Sequence, residues 1–223
     1  MNRLVLILVI FMLNTGCLSA HEVDVFEGED INPAQPYGVF ELQDNNDSLF
    51  HSSVLDGKIV VFGFVYTNCP NHCPTTTADM KWIQSQLSEH ERANTSFVSI
   101  TVDPWRDGPF GLTQYMEDYN VTWPHLTTTV DTLESLSHLE KVWTDFSIGI
   151  VLTEANNTTD LGRGHTVYYD IEHTNGLVLV DEMGMQRVRW THDNWNPEGI
   201  LNDIRSLLNE KSFIVDSISA TTA

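Results

Sequence analysis

Residues 58–74 read KIVVFGFVYTNCPNHCP. The first eight, 58–65, form an unbroken apolar run rich in β-branched and aromatic side chains. That is the pattern of a central strand buried on both faces. A polar, proline-flanked turn carrying Cys69 and Cys73 follows it directly. Beyond the turn, Met80, Ile83 and Leu87 recur at i, i+3 and i+7, which predicts an amphipathic helix ending near His90. The stretch therefore reads as strand, cysteine-bearing turn, helix.

The rest of the chain repeats and closes this pattern. Residues 96–102 (SFVSITV) predict a second strand, ending at Asp103-Pro104 before a helix over 110–119. Residues 131–146 predict a helix with Leu133, Leu136, Leu139, Val142, Trp143 and Phe146 facing inward. Segments 176–180 and 186–190 read as a hairpin around Glu182-Met183-Gly184. The last helix opens at Pro197, a good first-turn residue, and runs to about Asn209 with Ile200, Ile204, Leu207 and Leu208 on one side. This order predicts an α/β fold with one central mixed sheet flanked by helices. A cysteine pair at the first strand-to-helix junction makes it thioredoxin-like. The expected domain spans 38–210, with 21–37 as an acidic tether carrying Pro33 and Pro36 and 211–223 as a flexible tail.

The first twenty residues differ from the rest. Arg3 supplies a positive start, and residues 4–13 are an apolar run of signal-peptide length, short of the roughly 20 residues that span a membrane. Gly16-Cys17 at its end resembles a bacterial lipoprotein signal, with Cys17 as the lipidation site; cleavage after Ala20 is the alternative. In either case the domain is exported, and the lipid form is membrane-anchored, facing the periplasm or cell exterior.

The chain has three cysteines. If Cys17 is lipidated or removed, Cys69 and Cys73 remain as a pair. A loop that short staples little, because crosslink stabilisation grows with loop length. The pair is expected to do chemistry. A helix beginning near Pro70 would bring both sulfurs to one face, one turn apart, where free N–H groups and the helix dipole favour thiolate. Converging thiolates suit Cu(I) or another thiophilic metal. A metal-free redox dithiol is the competing reading. Thioredoxin-type oxidoreductases, however, keep two residues between their cysteines and oppose them with a cis-proline. Here there are three, and after Pro124 the next proline is Pro197. Charge excludes another class: 31 acidic against 11 basic residues, net −20, argues against nucleic acid as a partner.

Taken together, VFGFVYTNCPNHCP, SITVDPWRDGP and IEHTNGLVLVDEMG closely resemble the Sco (SenC) family across about residues 38–209. The resemblance implies a copper metallochaperone that assembles the dinuclear copper site of cytochrome c oxidase subunit II. It implies copper, as Cu(I) or Cu(II), held by Cys69, Cys73 and a distant histidine, with a copper donor protein and a thiol reductant as further partners. His173, after Glu172 and before Thr174 with a glycine turn at Gly184, fits the family's ligand position on a flexible loop; His165 is the rival. Asp103, Arg106 and Asp107 match the family's DPxRD segment and read as structural, capping the next helix or pairing with each other. His72, between the cysteines, reads as a solvent-facing loop residue, with an auxiliary ligand or base as the alternative. Two other roles stay open: a thiol–disulfide reductase keeping the oxidase's copper-site cysteines reduced, with Cys69 and Cys73 as its catalytic dithiol, and a copper or redox sensor.

Overall fold

The computed structural model describes residues 26–70, 72–155, 161–163, 165–166 and 168–221. The chain runs through β1 (Glu29–Pro36), β2 (Glu41–Asp44), β3 (Leu49–His51) and β4 (Ile59–Val65), then α1 (His72–Gln86) and α2 (Glu89–Ala93). Next come β5 (Thr95–Thr101), α3 (Pro109–Tyr119), β6 (His125–Thr127), α4 (Leu133–Asp145) and β7 (Ile150–Glu154). The remainder is β8 (Leu161–Gly162), β9 (His165–Thr166), β10 (Tyr169–His173), β11 (Leu177–Val180), β12 (Met185–Trp190) and α5 (Pro197–Thr221). No helix among the described residues is long and apolar enough to cross a membrane.

Eight strands form one mixed sheet in the order β1-β12-β11-β4-β5-β6-β2-β3. β4 pairs in parallel with β5 and antiparallel with β11, so it is central, as its composition predicts. All seven of its residues are buried. Strand alternation divides them between two cores. Val60, Phe62 and Phe64 point toward α4 residues Leu139, Val142 and Trp143, with Phe146 alongside. Ile59 and Val61 point toward Met80 and Ile83 of α1 and Ile200 and Ile204 of α5. Gly63 lets α1 close on the sheet, since a Cβ there would meet Met80 Sδ at 2.8 Å. β7 and β10 stand apart as a two-stranded antiparallel ribbon.

Several expectations need correction. Residues 29–36 are an edge strand paired with β12, so this part of the expected tether belongs to the sheet. Prolines are tolerated there because an edge strand leaves one row of backbone groups unpaired, and the register shifts between Asp30 and Gln35, where Pro33 falls. Just ahead of it, Glu27 N and Gly28 N donate to the Asp203 carboxylate at 2.8 and 3.0 Å, fastening the chain to α5. The helix expected to end near His90 is two helices. Ser88 starts the second with a capping box, its Oγ accepting from Glu91 N while Glu91 Oε2 accepts from Ser88 N. α4 buries Leu139, Val142 and Trp143 but leaves Leu133 87% exposed, one turn too early to reach the sheet. The α5 backbone continues to Thr221, through much of the expected tail, where no Gly or Pro interrupts it. The signal segment and Cys17 lie outside the described residues.

His125 of β6 is fully buried. Its Nδ1 faces Trp123 O at 3.1 Å, and a carbonyl only accepts, so Nδ1 is the donor. Nε2 is shielded and has no partner. Burial depresses the ring's pKa to about 4. As pH falls below the free-histidine value of about 6.5, the unfolded chain takes up this proton first. The stability is therefore full above that value and is lost as pH drops toward 4. Urea unfolding at pH 7 and pH 4 should show wild type losing on the order of 3 kcal/mol more than His125→Phe; equal losses would refute the assignment.

Candidate metal centre

The cysteine turn hangs from the end of β4, and the end is clamped. Thr67 donates to the Asp107 carboxylate through its backbone N, at 3.1 and 3.2 Å, and through Oγ1 at 2.5 Å. Thr101 Oγ1, closing β5, donates to the same carboxylate at 2.6 Å. Asp107 is completely buried, and burial pushes its pKa up to about 7 against the pull of these donors. Neighbouring Asp103 is ion-paired with Arg106 and accepts from the Tyr169 hydroxyl at 2.6 Å. Arg106 in turn donates to Tyr169 O. The DPWRD stretch thus pairs internally and braces both the cysteine turn and β10. It does not cap α3, whose N-cap Gly108 makes no side-chain bond.

α1 starts at His72, two residues beyond Pro70. Pro74 falls in its first turn, where a missing N–H costs no helical bond. Cys69 therefore sits ahead of the helix and Cys73 inside it. The Cys73 amide points back at Cys69 Sγ, 3.3 Å away, so the free N–H of the helix start is directed at one sulfur of the two. Neither cysteine is in a disulfide. Cys73 is buried at 2% exposure, whereas Cys69 is half-buried. The hydrogen bond of the Cys73 thiol to Cys69, followed by burial, raises its pKa well above the ordinary thiol value. The expectation that both sulfurs favour thiolate fails at Cys73. The pair is asymmetric.

Tyr66 is the residue the sequence reading missed. Its carbonyl accepts from Cys69 N at 3.3 Å, and its hydroxyl hydrogen-bonds the Cys69 side chain and donates to Ile171 O of β10 at 3.4 Å. Burial, then the nearby cysteines, raise its pKa. Its ring stands edge-on to His173, with centroids 5.7 Å apart. One aromatic side chain therefore touches both the Cys69 side of the dithiol and the histidine. The available signal was its place between the buried strand and the first cysteine.

His173 is the last residue of β10 and pairs with Ile150. The segment after it is pinned: Thr174 N donates to Gly149 O at 2.9 Å, and Gly149 N donates to Thr174 Oγ1 at 3.0 Å. Gly176 has φ +133 and packs so tightly on Trp190 that a Cβ would lie 1.8 Å from its carbonyl oxygen. The expected flexible loop is a braced strand end. His173 Nδ1 faces Thr174 O at 2.9 Å, so it is the donor and the neutral ring carries its lone pair on Nε2. That atom is shielded and has no hydrogen-bond partner. Among the described residues, no three of His, Cys, Asp or Glu are gathered tightly enough to hold a metal. The structure joins the two cysteines and links His173 to them through Tyr66. His165 lies on β9, opposite Gly162.

The greater exposure of Cys69, and the raised proton affinity of buried Cys73, make Cys69 the more reactive thiol. Under limiting iodoacetamide at pH 7, peptide mapping should find Cys69 alkylated about tenfold faster than Cys73 or more. Equal or reversed rates would contradict the asymmetry.

A protein of Stutzerimonas stutzeri, named as a candidate copper-binding protein, is 32% identical over 147 residues, 66% of this chain and 65% of that one. The match thus spans slightly less than two thirds of the relative's length. Bradyrhizobium japonicum ScoI, solved with copper bound, superposes with a TM-score of 0.62 at 22% identity, covering 77% of this chain and 99% of that one. BsSco, described as carrying a disulfide switch and as a member of the Sco family of cytochrome c oxidase assembly proteins, gives a TM-score of 0.58 at 20% identity over 81% and 96%. These likenesses establish the Sco thioredoxin-like fold. The profile of the SCO1/SenC family matches residues 29–209, and the chain belongs to that family.

Proposed function

We propose that this chain carries copper to the dinuclear site of cytochrome c oxidase subunit II, holding its cargo with Cys69, Cys73 and His173. The observation that carries this reading is the lone pair of His173. Its ring is oriented by a main-chain carbonyl through Nδ1, Nε2 is shielded and unsatisfied, and the ring packs on Tyr66, whose hydroxyl bonds the Cys69 side chain. Metal-binding imidazoles are held in this way, with the second nitrogen donating to a carbonyl or carboxylate. Two sulfurs and one imidazole suit Cu(I) and tolerate Cu(II). The copper-bound neighbour and the copper-binding name of a relative support the choice of metal.

Loading costs protons. The Cys73 thiol, bonded to Cys69, must give up its hydrogen for both sulfurs to become ligands. Delivery by ligand exchange then returns the proton to the pair. The same pair can be oxidised to a disulfide by a partner disulfide that takes up the two electrons, because the Cys73 thiol already hydrogen-bonds the Cys69 side chain. The disulfide switch described for BsSco supports a reductase role as the second reading. In the cell the domain would be exported and tethered through Cys17, with a copper donor and a thiol reductant as its other partners.

Competition titration of the reduced protein with Cu(I) should show one ion bound per chain. Cys69→Ser and Cys73→Ser should each weaken binding by about 100-fold or more, and His173→Ala by about tenfold or more. Apparent affinity should rise by about tenfold for each thiol proton released per pH unit between pH 6 and 7.5, below the ordinary thiol value. Wild-type affinity in His173→Ala, with disulfide reductase activity retained, would favour the second reading. Unchanged binding in both serine variants would refute the site.

A further inference from the structure

His72 and His192 are 120 positions apart in sequence, yet their ring centroids stand 4.0 Å from each other at an interplanar angle of 40°. His72 is the first residue of α1 and is exposed. His192 opens the short helical turn after β12. That turn is locked by Asn194 Oδ1, which accepts from Thr191 N at 2.8 Å and from Thr191 Oγ1 at 3.3 Å. Trp195 stacks on His192 with centroids 5.2 Å apart at 17°, and its Nε1 donates to Asp79 Oδ2 at 2.7 Å. His192 is therefore held from behind, while His72 is free to turn about its side-chain bonds.

The ring contact brings no hydrogen bond between the two imidazoles, and His192 Nε2 is shielded without any partner. A metal ion on its in-plane lone pair would satisfy that nitrogen. Burial, then the neighbouring His72, lower the His192 pKa and keep its ring neutral with the lone pair available to a metal, while Cys69, Asp193 and Asp79 pull the other way. Imidazole pairs take late first-row divalent ions, and Cu(II) heads their affinity order. Two nitrogens leave coordination positions for water, which agrees with the absence of a third protein ligand at metal distance among the described residues.

We infer that His72 and His192 form a divalent copper site of their own, separate from the proposed Cys69–Cys73–His173 centre. Turning the exposed His72 ring brings one of its nitrogens to an ion held on His192 Nε2. The ion there would stand beside the more exposed thiol.

The test uses the full chain with Cys17, Cys69 and Cys73 replaced by serine and His173 by alanine. That protein has no thiol to reduce Cu(II) and lacks the proposed primary ligands. Titration with copper sulfate, followed by calorimetry and electron paramagnetic resonance, should show one Cu(II) per chain with nitrogen superhyperfine coupling. Adding His72→Gln or His192→Gln should each lower the affinity by about tenfold or more and remove part of that coupling. Adding His51→Gln, an exposed histidine at β3, should change neither. His72 is exposed, so its variant is expected to keep the parent urea midpoint and reads binding alone. Absence of Cu(II) binding, or binding indifferent to both His72→Gln and His192→Gln, would overturn the site. Failure of the Cys69–Cys73–His173 reading would appear elsewhere, in Cu(I) titration of the otherwise intact chain.

Discussion

The candidate centre depends on a carboxyl group that never meets water. Asp107 gathers Thr67 from the end of β4 and Thr101 from the end of β5 onto its two oxygens. Its own carbonyl accepts from Thr127 Oγ1 at 2.6 Å and from Arg163 Nη2 at 3.0 Å. Burying a carboxyl group is costly unless donors surround it. Here the donors are the ends of two parallel strands, and the cost is offset by fixing where the chain leaves the sheet. The cysteine turn starts two residues beyond Thr67, so its origin is set by this group before either sulfur is considered.

A second consequence is that the two halves of the centre share one support. Asp103 and Arg106, next to Asp107 in the chain, hold Tyr169 at the start of β10, and β10 ends at His173. The cysteines and the histidine are about a hundred residues apart in sequence but are anchored on a five-residue segment. Tyr66 completes the connection, bonded to the Cys69 side and to Ile171, with its ring against His173. The sulfurs and the imidazole are close without being joined. On the copper-carrier reading proposed above, that arrangement suits a site that accepts and releases its ion, because a fully assembled cage would hold the metal more firmly than a carrier can use.

The cysteines themselves are unequal for a simple reason. Cys73 lies inside α1 against the buried face, with Phe64, Val65 and Tyr66 in the same core. Cys69 lies ahead of the helix and receives the Cys73 amide. Burial raises the proton affinity of one thiol, while the helix start directs a donor at the other. The difference follows from where the helix begins, and Pro74 is compatible with that start only because first-turn N–H groups have no helical partner.

Much was legible from local pattern. The apolar run of β4, the spacing of Met80 and Ile83 in α1, the turn at Glu182-Met183-Gly184 and the first-turn Pro197 of α5 each carry their structure in a few adjacent residues. The cysteine pair was equally plain, since its short loop has little stapling value. The three-residue strands β3 and β6, the pairing of β1 with β12 and the pinned end of β10 were not legible. Short or proline-bearing strands have too little periodicity to announce themselves, and their partners lie far along the chain. Only packing could bring His192 onto His72, set Tyr66 against both sulfur and imidazole, and close Asp107 off from water. The sequence by itself determined which side chains could do chemistry, because that is a property of residue type and near spacing. The tertiary structure decided which of them meet and which are shielded, because contact and burial arise from segments that the chain holds far apart.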